Sequence, residues 1–473
     1  MSTIEDVVVC VDFGSTFTKA ALVDLETGDL LATSSHATTL PDADGVGDVL
    51  DGYDACLAQL AVQDERAAGA DVLACSSAGG GLRVAVVGNE ELVTAEAGRR
   101  VALSSGGKVV LVLSGGLDAA GLAELRAAEP DVVLLVGGTD GGNAEVLEGD
   151  ADVLAAQRWS GPVVVAGNIE SQAHVSARLD ESGTPHVVAD NVVPRIGVLA
   201  PDSARRAIRE IFLSHVICGK HLSSRTDARG RSFTDMVRGA TPDIVLTGVE
   251  LLARGLDDSH RGAGDVVVVD VGGATTDVHS VVELDPETAS LDGRGLSREV
   301  VAQTPVTRTV EGDLGMRWSA LSTVEAAGRD DLADAAARRH SHPDFLPTDD
   351  QEREADLDIA AAAVRIALER HAGRSKVVVS PEGRVVERSG KDLREVDLLV
   401  GSGGALRHGG RDAVRRVLLP ATGDAFEGGW QLPRDPRVVV DRDYVLAAAG
   451  LLAEEHPLAA HRLVSGLLTG AGG

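Results

Sequence analysis

The stretch VVVCVDFGSTFTKAALVD, residues 7–24, predicts a buried β-strand that runs into a polar turn and a second strand. Its apolar run ends at the carboxylate of Asp12, and Gly14 then allows the backbone to approach a ligand closely. The turn and the next strand offer hydroxyl and ammonium donors for a phosphate group at Ser15, Thr16, Thr18 and Lys19. Taken alone, the stretch also fits a β-hairpin with a solvated polar turn.

A second stretch, DVVVVDVGGATTDVHSVVEL at residues 265–284, repeats this pattern. Its strand ends at Asp270, and its candidate phosphate-binding residues are Gly272, Gly273, Thr275 and Thr276. Because Mg²⁺ keeps most of its waters and needs only one or two protein carboxylates beside phosphate oxygens, Asp12 and Asp270 are the predicted metal anchors. Asp277 is a further candidate catalytic residue; it either orients the attacking water or the metal shell, or is only a capping or strand-end carboxylate. Two such motifs predict two similar lobes that grip one nucleotide.

The two motifs together resemble those of the actin, sugar kinase and heat-shock chaperone ATPase superfamily. In that superfamily two ribonuclease-H-like lobes each contribute one such loop to Mg-ATP, so the resemblance implies an α/β fold with two actin-like lobes. A third stretch, DLLVGSGGALR at 397–407, looks like the adenosine motif of the superfamily, which would place Gly401, Ser402, Gly403 and Gly404 around the adenosine. Small-residue helices predicted at 241–255 and 441–455 resemble the two helices that cross between the lobes.

The domain organisation follows from these motifs and from a change of pattern between them. We expect residues 1–262 to form the first lobe, 263–442 the second lobe, and 443–473 a crossing helix and tail that return to the first lobe. Between about 105 and 200, strands alternate with amphipathic helices, which predicts a parallel β/α segment inserted in the first lobe and available to a partner protein. Its turn GGTDGGN, Gly137 to Asn143, is either another phosphate cradle or, as we favour, a turn into the next helix.

The composition excludes several classes of partner. With 44 Lys and Arg against 73 Asp and Glu, the formal net charge of −29 repels nucleic-acid backbones and anionic membranes. The four cysteines show no CxxC spacing, and neither a signal peptide nor an apolar run of membrane-spanning length is evident. We therefore expect a cytoplasmic protein that binds neither nucleic acid nor membrane.

Within the superfamily, four segments together resemble the MutL family associated with adenosylcobalamin-dependent glutamate mutase, whose name is unrelated to the DNA mismatch-repair protein. These segments are DFGSTFTKAALVD, SAGGGLR, GGTDGGN and EGDLG. The resemblance implies an ATP-using accessory factor, thought to exchange or restore cobalamin in a carbon-skeleton mutase or aminomutase. It also implies ATP and Mg²⁺ as cofactors and mutase subunits as partners, and it leaves a homodimer open.

Two other functions stay open. A sugar or small-metabolite kinase shares the fold but needs a carboxylate base beside an acceptor pocket, and no such motif is identified. An actin-like filament or scaffold protein is the other alternative. One departure bears on mechanism, because the region GATPDIV, residues 239–245, lacks the Glu or Gln that the chaperone ATPases or actin place near the start of the first crossing helix. Slow intrinsic hydrolysis, or hydrolysis completed by a partner, would follow.

Overall fold

The fold is taken from a computed structural model that describes residues 6–41, 47–79, 81–283, 304–380, 383–423 and 429–469, without the side chains of 378–380 and 383–388. The strands, in chain order, are β1 (Val7–Phe13), β2 (Phe17–Asp24), β3 (Leu30–Ala37), β4 (Asp71–Ser76), β5 (Leu82–Gly88), β6 (Gly107–Ser114), β7 (Val132–Leu135), β8 (Val163–Val165), β9 (His186–Val188), β10 (Val237–Ala240), β11 (Gly255–Asp257), β12 (His260–Arg261), β13 (Val266–Val271), β14 (Thr276–Val281), β15 (Val306–Glu311), β16 (Arg374–Ser380), β17 (Gly383–Ser389), β18 (Leu398–Ser402), β19 (Gly429–Trp430) and β20 (Arg437–Val440). The α-helices are Val49–Gln63, Glu96–Ser104, Ala119–Ala127, Glu145–Ala156, Gln172–Ser182, Asp202–Ile211, Ile217–Gly219, Phe233–Met236, Thr241–Arg254, Ala320–Ala327, Ala333–Ser341, Asp350–His371, Gly404–His408, Gly410–Ala413, Val445–Leu452 and Pro457–Thr469. Among the helices of the described ranges, none is both long and apolar enough to cross a membrane.

The first mixed sheet has the strand order β10-β4-β1-β2-β3. Its central strand β1 runs antiparallel to β2 and parallel to β4. Every residue of β1 is buried, which explains why its sequence is a continuous apolar run rather than an alternating one. Asp12 stands near the carboxyl end of β1, opposite Lys19 of β2 and Cys75 of β4.

The second mixed sheet, β15-β14-β13-β18-β20, repeats the design of the first. Strand β13 runs antiparallel to β14 and parallel to β18, and β20 continues the parallel side. Asp270 lies opposite Asp277 of β14 and Ser402 of β18. The predicted α/β class is therefore confirmed, and two sheets of the same strand order and direction carry the two aspartate motifs.

A third sheet, β6-β5-β7-β8-β9, is parallel throughout. In the sequence it lies between β4 and β10 of the first mixed sheet. Strands and helices alternate as expected for residues 105–200, but the sheet begins earlier, with β5 at Leu82. Glycine ends one of its helices, since Gly183 after Gln172–Ser182 adopts the left-handed conformation with a φ of 75°.

The chain divides into two compact units. Of the described residues, the first unit takes 6–24, 30–245 and 304, and the second takes 25–29, 246–283 and 305–469. Each unit has its own hydrophobic core, with Val9 and Tyr53 in the first and Val267 and Leu399 in the second. The division falls inside the helix Thr241–Arg254 and places 443–469 in the second unit, so these limits differ from the expected boundaries at 262 and 442. The three-part organisation into lobes and a returning tail stays a prediction.

Candidate functional site

Asp12 is the centre of a small polar group at the end of β1. Its Oδ2 atom accepts a hydrogen bond from Lys19 Nζ at 3.4 Å, and the Cys75 thiol lies 3.7 Å from Oδ1. Burial raises the pKa of the Cys75 thiol well above its ordinary value, and the charge of Asp12 adds to that shift, so the sulfur keeps its proton and acts as a weak donor. The structure thus brings together Asp12, the candidate metal anchor, and Lys19, a candidate phosphate-binding cation.

Thr241 completes this group, and the sequence interpretation missed it. The residue begins the helix Thr241–Arg254, directly after β10, and its Oγ1 donates to Asp12 Oδ1 at 2.7 Å. The available signal was its position, as the first polar side chain after a strand of the same sheet.

Gly14 lies in the turn after β1, at a position where a side chain has no space. A Cβ on Gly14 would lie 2.6 Å from the carbonyl oxygen of Phe17, closer than any real contact. Thr38 closes the turn from the side, with its Oγ1 donating to the Gly14 carbonyl at 2.8 Å. Ser15 is exposed and Thr16 half-buried in this turn, which leaves both at the surface of the loop.

Thr18 does not join the Asp12 group. It lies between Phe17 and Lys19 on a strand, where neighbouring side chains point to opposite faces, and it is fully buried. Its hydroxyl is hydrogen-bonded to Thr38 Oγ1 at 3.0 Å. The prediction that the Thr18 hydroxyl faces a phosphate is therefore not supported by its position.

The turn after β13 repeats the geometry of the first. A Cβ on Gly272 would lie 2.9 Å from the carbonyl oxygen of Thr275, three residues ahead, just as Gly14 meets Phe17. A neighbouring segment supports this turn, because the backbone N–H groups of Met316 and Arg317 donate to the carbonyls of Gly272 and Gly273 at 3.0 and 2.8 Å. The EGDLG motif, residues 311–315, comes directly before these two residues, and a Cβ on its Gly315 would lie 2.8 Å from the Gly273 carbonyl oxygen.

Asp270 and Asp277 are opposite each other across β13 and β14, at the positions that Asp12 and Lys19 occupy in the first sheet. Burial raises the pKa of Asp277, and the Arg308 guanidinium, whose Nη2 donates to Asp277 Oδ1 at 3.3 Å, opposes that shift. Burial of His279 lowers its own pKa well below the ordinary value, and the positive charge of Arg308 adds to that shift. His279 is therefore neutral at physiological pH.

Thr276 is the second predicted phosphate ligand that faces the interior. The residue is fully buried, and its Oγ1 has no hydrogen-bond partner among the described residues. Gly273 and Thr275, in contrast, are only half-buried within the turn. The backbone of this turn and the Thr275 side chain therefore remain candidate phosphate contacts.

The three glycines of the third motif lie in different environments. A Cβ on Gly401 would lie 2.7 Å from a methyl group of Leu418, so this position is fixed by core packing. Gly403 has a φ of 109°, and a Cβ there would overlap the carbonyl oxygen of Val271 at the end of β13. Gly404 is exposed and has open space around it, while Ser402 is buried at the end of β18. The third motif thus lies directly beside the second.

Asp441 connects this region to the helix Val445–Leu452. Its carboxylate oxygens accept the N–H groups of Val445 at 2.9 Å and Leu446 at 3.2 Å, and its own N–H donates to the Gly401 carbonyl at 2.9 Å. Burial raises the pKa of Asp441 to about 6, with a smaller contribution from Asp270.

The GGTDGGN turn after β7 has its polar groups satisfied within the parallel-sheet segment. Asp140 Oδ1 accepts hydrogen bonds from Asn191 Nδ2 at 2.8 Å and from the Ile169 N–H at 3.3 Å. Asn191 Nδ2 also donates to the Gly138 carbonyl at 3.0 Å. These contacts tie together the loops that follow β7, β8 and β9, which favours the structural interpretation of this turn.

The residues present fit a magnesium nucleotide. Gly14 and Gly272 form two turns that a Cβ would fill, and each follows a strand-end carboxylate by two positions, Asp12 and Asp270. Among the described residues, no three His, Cys, Asp or Glu side chains gather closely enough to hold a metal by themselves. Either carboxylate alone suits Mg²⁺, which needs only one or two protein carboxylates and completes its shell with water and phosphate oxygens.

Comparisons with known proteins agree with the resemblance seen in the sequence. The model of the family described as MutL protein matches residues 8–468. Protein MutL from Clostridium tetanomorphum is 36% identical over 475 residues, covering 97% of this chain and 98% of that protein. Among solved structures, nucleotide-free acetone carboxylase aligns with 95% of this chain and 70% of its own at 14% identity, with a TM-score of 0.40. The activator of 2-hydroxyisocaproyl-CoA dehydratase from Clostridium difficile, with bound ADPNP, aligns with 96% of this chain and 95% of its own at 9% identity, with a TM-score of 0.29.

Proposed function

We propose, from the premise that the chain belongs to the MutL protein family, that it is an ATP-binding and ATP-hydrolysing accessory factor for an adenosylcobalamin-dependent mutase. Its client would be glutamate mutase or an aminomutase, and its task would be to restore a mutase that carries an inactive cobalamin. Family membership supports the class of client, and the loops described above support the use of ATP.

The two mixed sheets are proposed to be the ribonuclease-H-like lobes of an actin-like ATPase fold. Support comes from their identical strand order and directions. The parallel sheet from Leu82 to Val188 would then be an insertion between the fourth and fifth strands of the first lobe. Such a fold would supply two loops of one design, one from each lobe, to the phosphates of a nucleotide.

The observation that carries the nucleotide assignment is the repeated turn. In both sheets a glycine two positions after a strand-end aspartate is fixed by the carbonyl oxygen three residues ahead, at 2.6 Å for Gly14 and 2.9 Å for Gly272. We assign Asp12 and Asp270 to the water shell of Mg²⁺. The proposed phosphate contacts are Gly14, Ser15, Thr16, Lys19, Gly272, Gly273 and Thr275, and the proposed adenosine contacts are Gly401, Ser402, Gly403 and Gly404.

Asp277 is proposed to orient the attacking water or the metal shell. It lies opposite Asp270 on the neighbouring strand, and the Arg308 guanidinium opposes the rise that burial causes in its pKa. When bound, Mg²⁺ would supply charge stabilisation for the phosphates, and Asp12, Asp270 and Asp277 would hold and orient its water shell.

Calorimetric titration with Mg-ATP tests this assignment through Asp12→Ala and Asp270→Ala. Each change removes an anionic oxygen pair from the metal site, so we expect each to weaken binding by at least about tenfold. Asp344→Ala, at an exposed position outside all three motifs, serves as the matched control and should bind like the wild type. Unaltered Mg-ATP affinity in both site variants would overturn the assignment.

A further inference from the structure

We infer that Thr241 is a positioning residue whose hydroxyl holds the Asp12 carboxylate in the orientation that the metal site needs. This inference rests on the proposed role of Asp12 as a magnesium anchor. It concerns a residue at the start of the helix Thr241–Arg254, where the sequence carries neither Glu nor Gln.

The hydrogen bond from Thr241 is the shortest restraint on Asp12. Thr241 Oγ1 donates to Oδ1 at 2.7 Å, whereas Lys19 Nζ is 3.4 Å from Oδ2 and Cys75 Sγ is 3.7 Å from Oδ1. A hydroxyl at this distance from a carboxylate forms a charge-assisted hydrogen bond, which is stronger than the contact of a thiol. Of the side chains described around Asp12, Thr241 therefore contributes most to fixing Oδ1.

The strand register of the first mixed sheet places Thr241 beside Asp12. Strand β10 runs parallel to β4, with Gly239 opposite Cys75 and Ala240 opposite Ser76. Because Cys75 is in turn opposite Asp12 on β1, the residue that follows β10 emerges at the same edge of the sheet as the carboxylate. The placement of Thr241 is thus a product of strand register.

A separate ion pair anchors the helix start. Asp243 is buried, and Arg209 Nε donates to its Oδ2 at 2.6 Å. Arg205 Nη2 lies 3.8 Å from the other carboxylate oxygen of Asp243. Pro242 also suits the first turn of a helix, where its missing N–H costs no hydrogen bond. A change at Thr241 therefore leaves the helix attached.

The chemistry of a hydroxyl limits what Thr241 can do. It has one proton and two lone pairs, and its proton is donated to Asp12, so its oxygen remains available only as a hydrogen-bond acceptor. A threonine hydroxyl is too weak a base to take a proton from water at neutral pH. Thr241 therefore orients neighbouring groups and does not itself exchange protons.

Thr241→Val tests the inference, because valine keeps the branched shape and removes the hydroxyl. Thr241→Ser is the matched control that restores the hydroxyl, and Thr241→Ala replaces Val if that variant does not fold. ATP affinity is measured by calorimetry with Mg²⁺ and again with EDTA. We expect Val to reduce the gain in affinity that Mg²⁺ provides by at least about tenfold, while Ser keeps it within about threefold.

The measurement without Mg²⁺ separates positioning from general damage. The affinity for ATP in EDTA should change little in Thr241→Val, because the ion pair of Asp243 with Arg209 still holds the start of the helix. If Mg²⁺ increases the ATP affinity of Thr241→Val as much as that of the wild type, the inference about Thr241 is wrong while the proposed function stands. The same holds if Thr241→Val and Thr241→Ser lose equal amounts of this Mg²⁺-dependent affinity. A wild-type protein that binds no Mg-ATP would instead refute the proposed function.

Discussion

Equivalent positions next to the two strand-end aspartates carry opposite charges. In the first mixed sheet Asp12 faces Lys19, and in the second Asp270 faces Asp277. The cation that balances Asp277 comes from the third strand of that sheet, at Arg308. Lys19 therefore pairs with Asp12 inside the first hairpin, whereas the partner of Asp277 lies 31 positions further along the chain, at Arg308.

Removing Arg308 should destabilise the second unit. Arg308→Met leaves Asp277 largely buried without its guanidinium partner, which is expected to lower the free energy of unfolding by about 3 kcal/mol. Adding Asp277→Asn should recover part of that loss, because the uncompensated charge disappears. Urea unfolding of the two single variants and the double variant measures this coupling.

Arg365→Met provides the control for that experiment. Arg365 forms an exposed ion pair with Glu369 on one helix, so its loss should cost no more than about 0.5 kcal/mol. Additive effects of the Arg308 and Asp277 changes would show that the two side chains do not form a stabilising pair.

Asp150 should make stability depend on pH. Its Oδ1 accepts the Leu117 N–H at 2.5 Å, its Oδ2 is buried without a partner among the described residues, and burial raises its pKa from 3.8 to about 6. Since the folded pKa exceeds the unfolded value, the folded protein binds more protons between these two pH values. Its stability consequently falls as pH rises through that window.

Asp150→Asn keeps the acceptor oxygen and cannot ionise. We expect its free energy of unfolding to exceed that of the wild type by about 1–2 kcal/mol at pH 7.5, and by much less at pH 4.5. Urea titrations at both pH values test this, with Asp344→Asn as an exposed control. A difference from the wild type that is equal at the two pH values would rule out ionisation as its cause.

Residues of the candidate site could be predicted from the sequence where they belong to one local motif. Residues whose position depends on the register between distant strands could not. Asp12, Gly14, Asp270 and Gly272 could be found because strand, carboxylate and glycine are adjacent in sequence. Thr18 and Thr276 were assigned by residue type, although alternation along their strands turns both inward. Arg308 and Thr241 depend on pairing between distant strands, which one sequence does not specify.

At the scale of elements, two small-residue helices pack closely through one glycine. Gly248 of the helix Thr241–Arg254 lies against Val445–Leu452, where a Cβ would overlap the Leu446 carbonyl oxygen. Both partners at this contact belong to the second unit. Gly248 is therefore the residue that permits this close contact.

Gly248→Ala should therefore destabilise the protein by about 1–3 kcal/mol, because the helix backbones must separate to make room. Gly149→Ala is the matched control, since Gly149 is also helical but exposed, with no atom close to its missing Cβ. Alanine at that position should stabilise by about 0.5–1 kcal/mol through helix propensity. Urea unfolding that shows effects of the same sign for both variants would contradict the packing argument.

The parallel sheet shows which features of a strand can be predicted from the sequence pattern. Alternating apolar strands and helices identified β6 to β9, but β5 was not assigned to that sheet. In the strand order β6-β5-β7 the first strand in sequence lies between the second and third, so nothing in its own residues reveals its neighbours. Local sequence determines whether a segment forms a strand. The sheet that the strand joins depends on the segments elsewhere in the chain that pack against it.

At the scale of the whole molecule, repeated action on a client requires more than nucleotide binding. A bound nucleotide shifts an equilibrium between two states once, by the difference in its affinity for them. Hydrolysis and product release return the protein to its starting state, so that one molecule can act on many clients. The absence of a Glu or Gln in GATPDIV makes slow or client-stimulated hydrolysis the expectation for this chain.

We therefore expect this protein to restore a cobalamin mutase inactivated during turnover or loaded with hydroxocobalamin, provided that Mg²⁺, free adenosylcobalamin and hydrolysable ATP are present. With the mutase in about tenfold excess, ATP should return most of its activity, because each accessory molecule completes many cycles. A non-hydrolysable analogue should return at most one equivalent of mutase per accessory molecule, since each can shift only once. Asp270→Ala should fail with either nucleotide, and Asp344→Ala should behave like the wild type. Equal recovery with ATP and the analogue would show that hydrolysis is not the driver, and phosphorylation of a sugar or other metabolite without any recovery would favour a kinase instead.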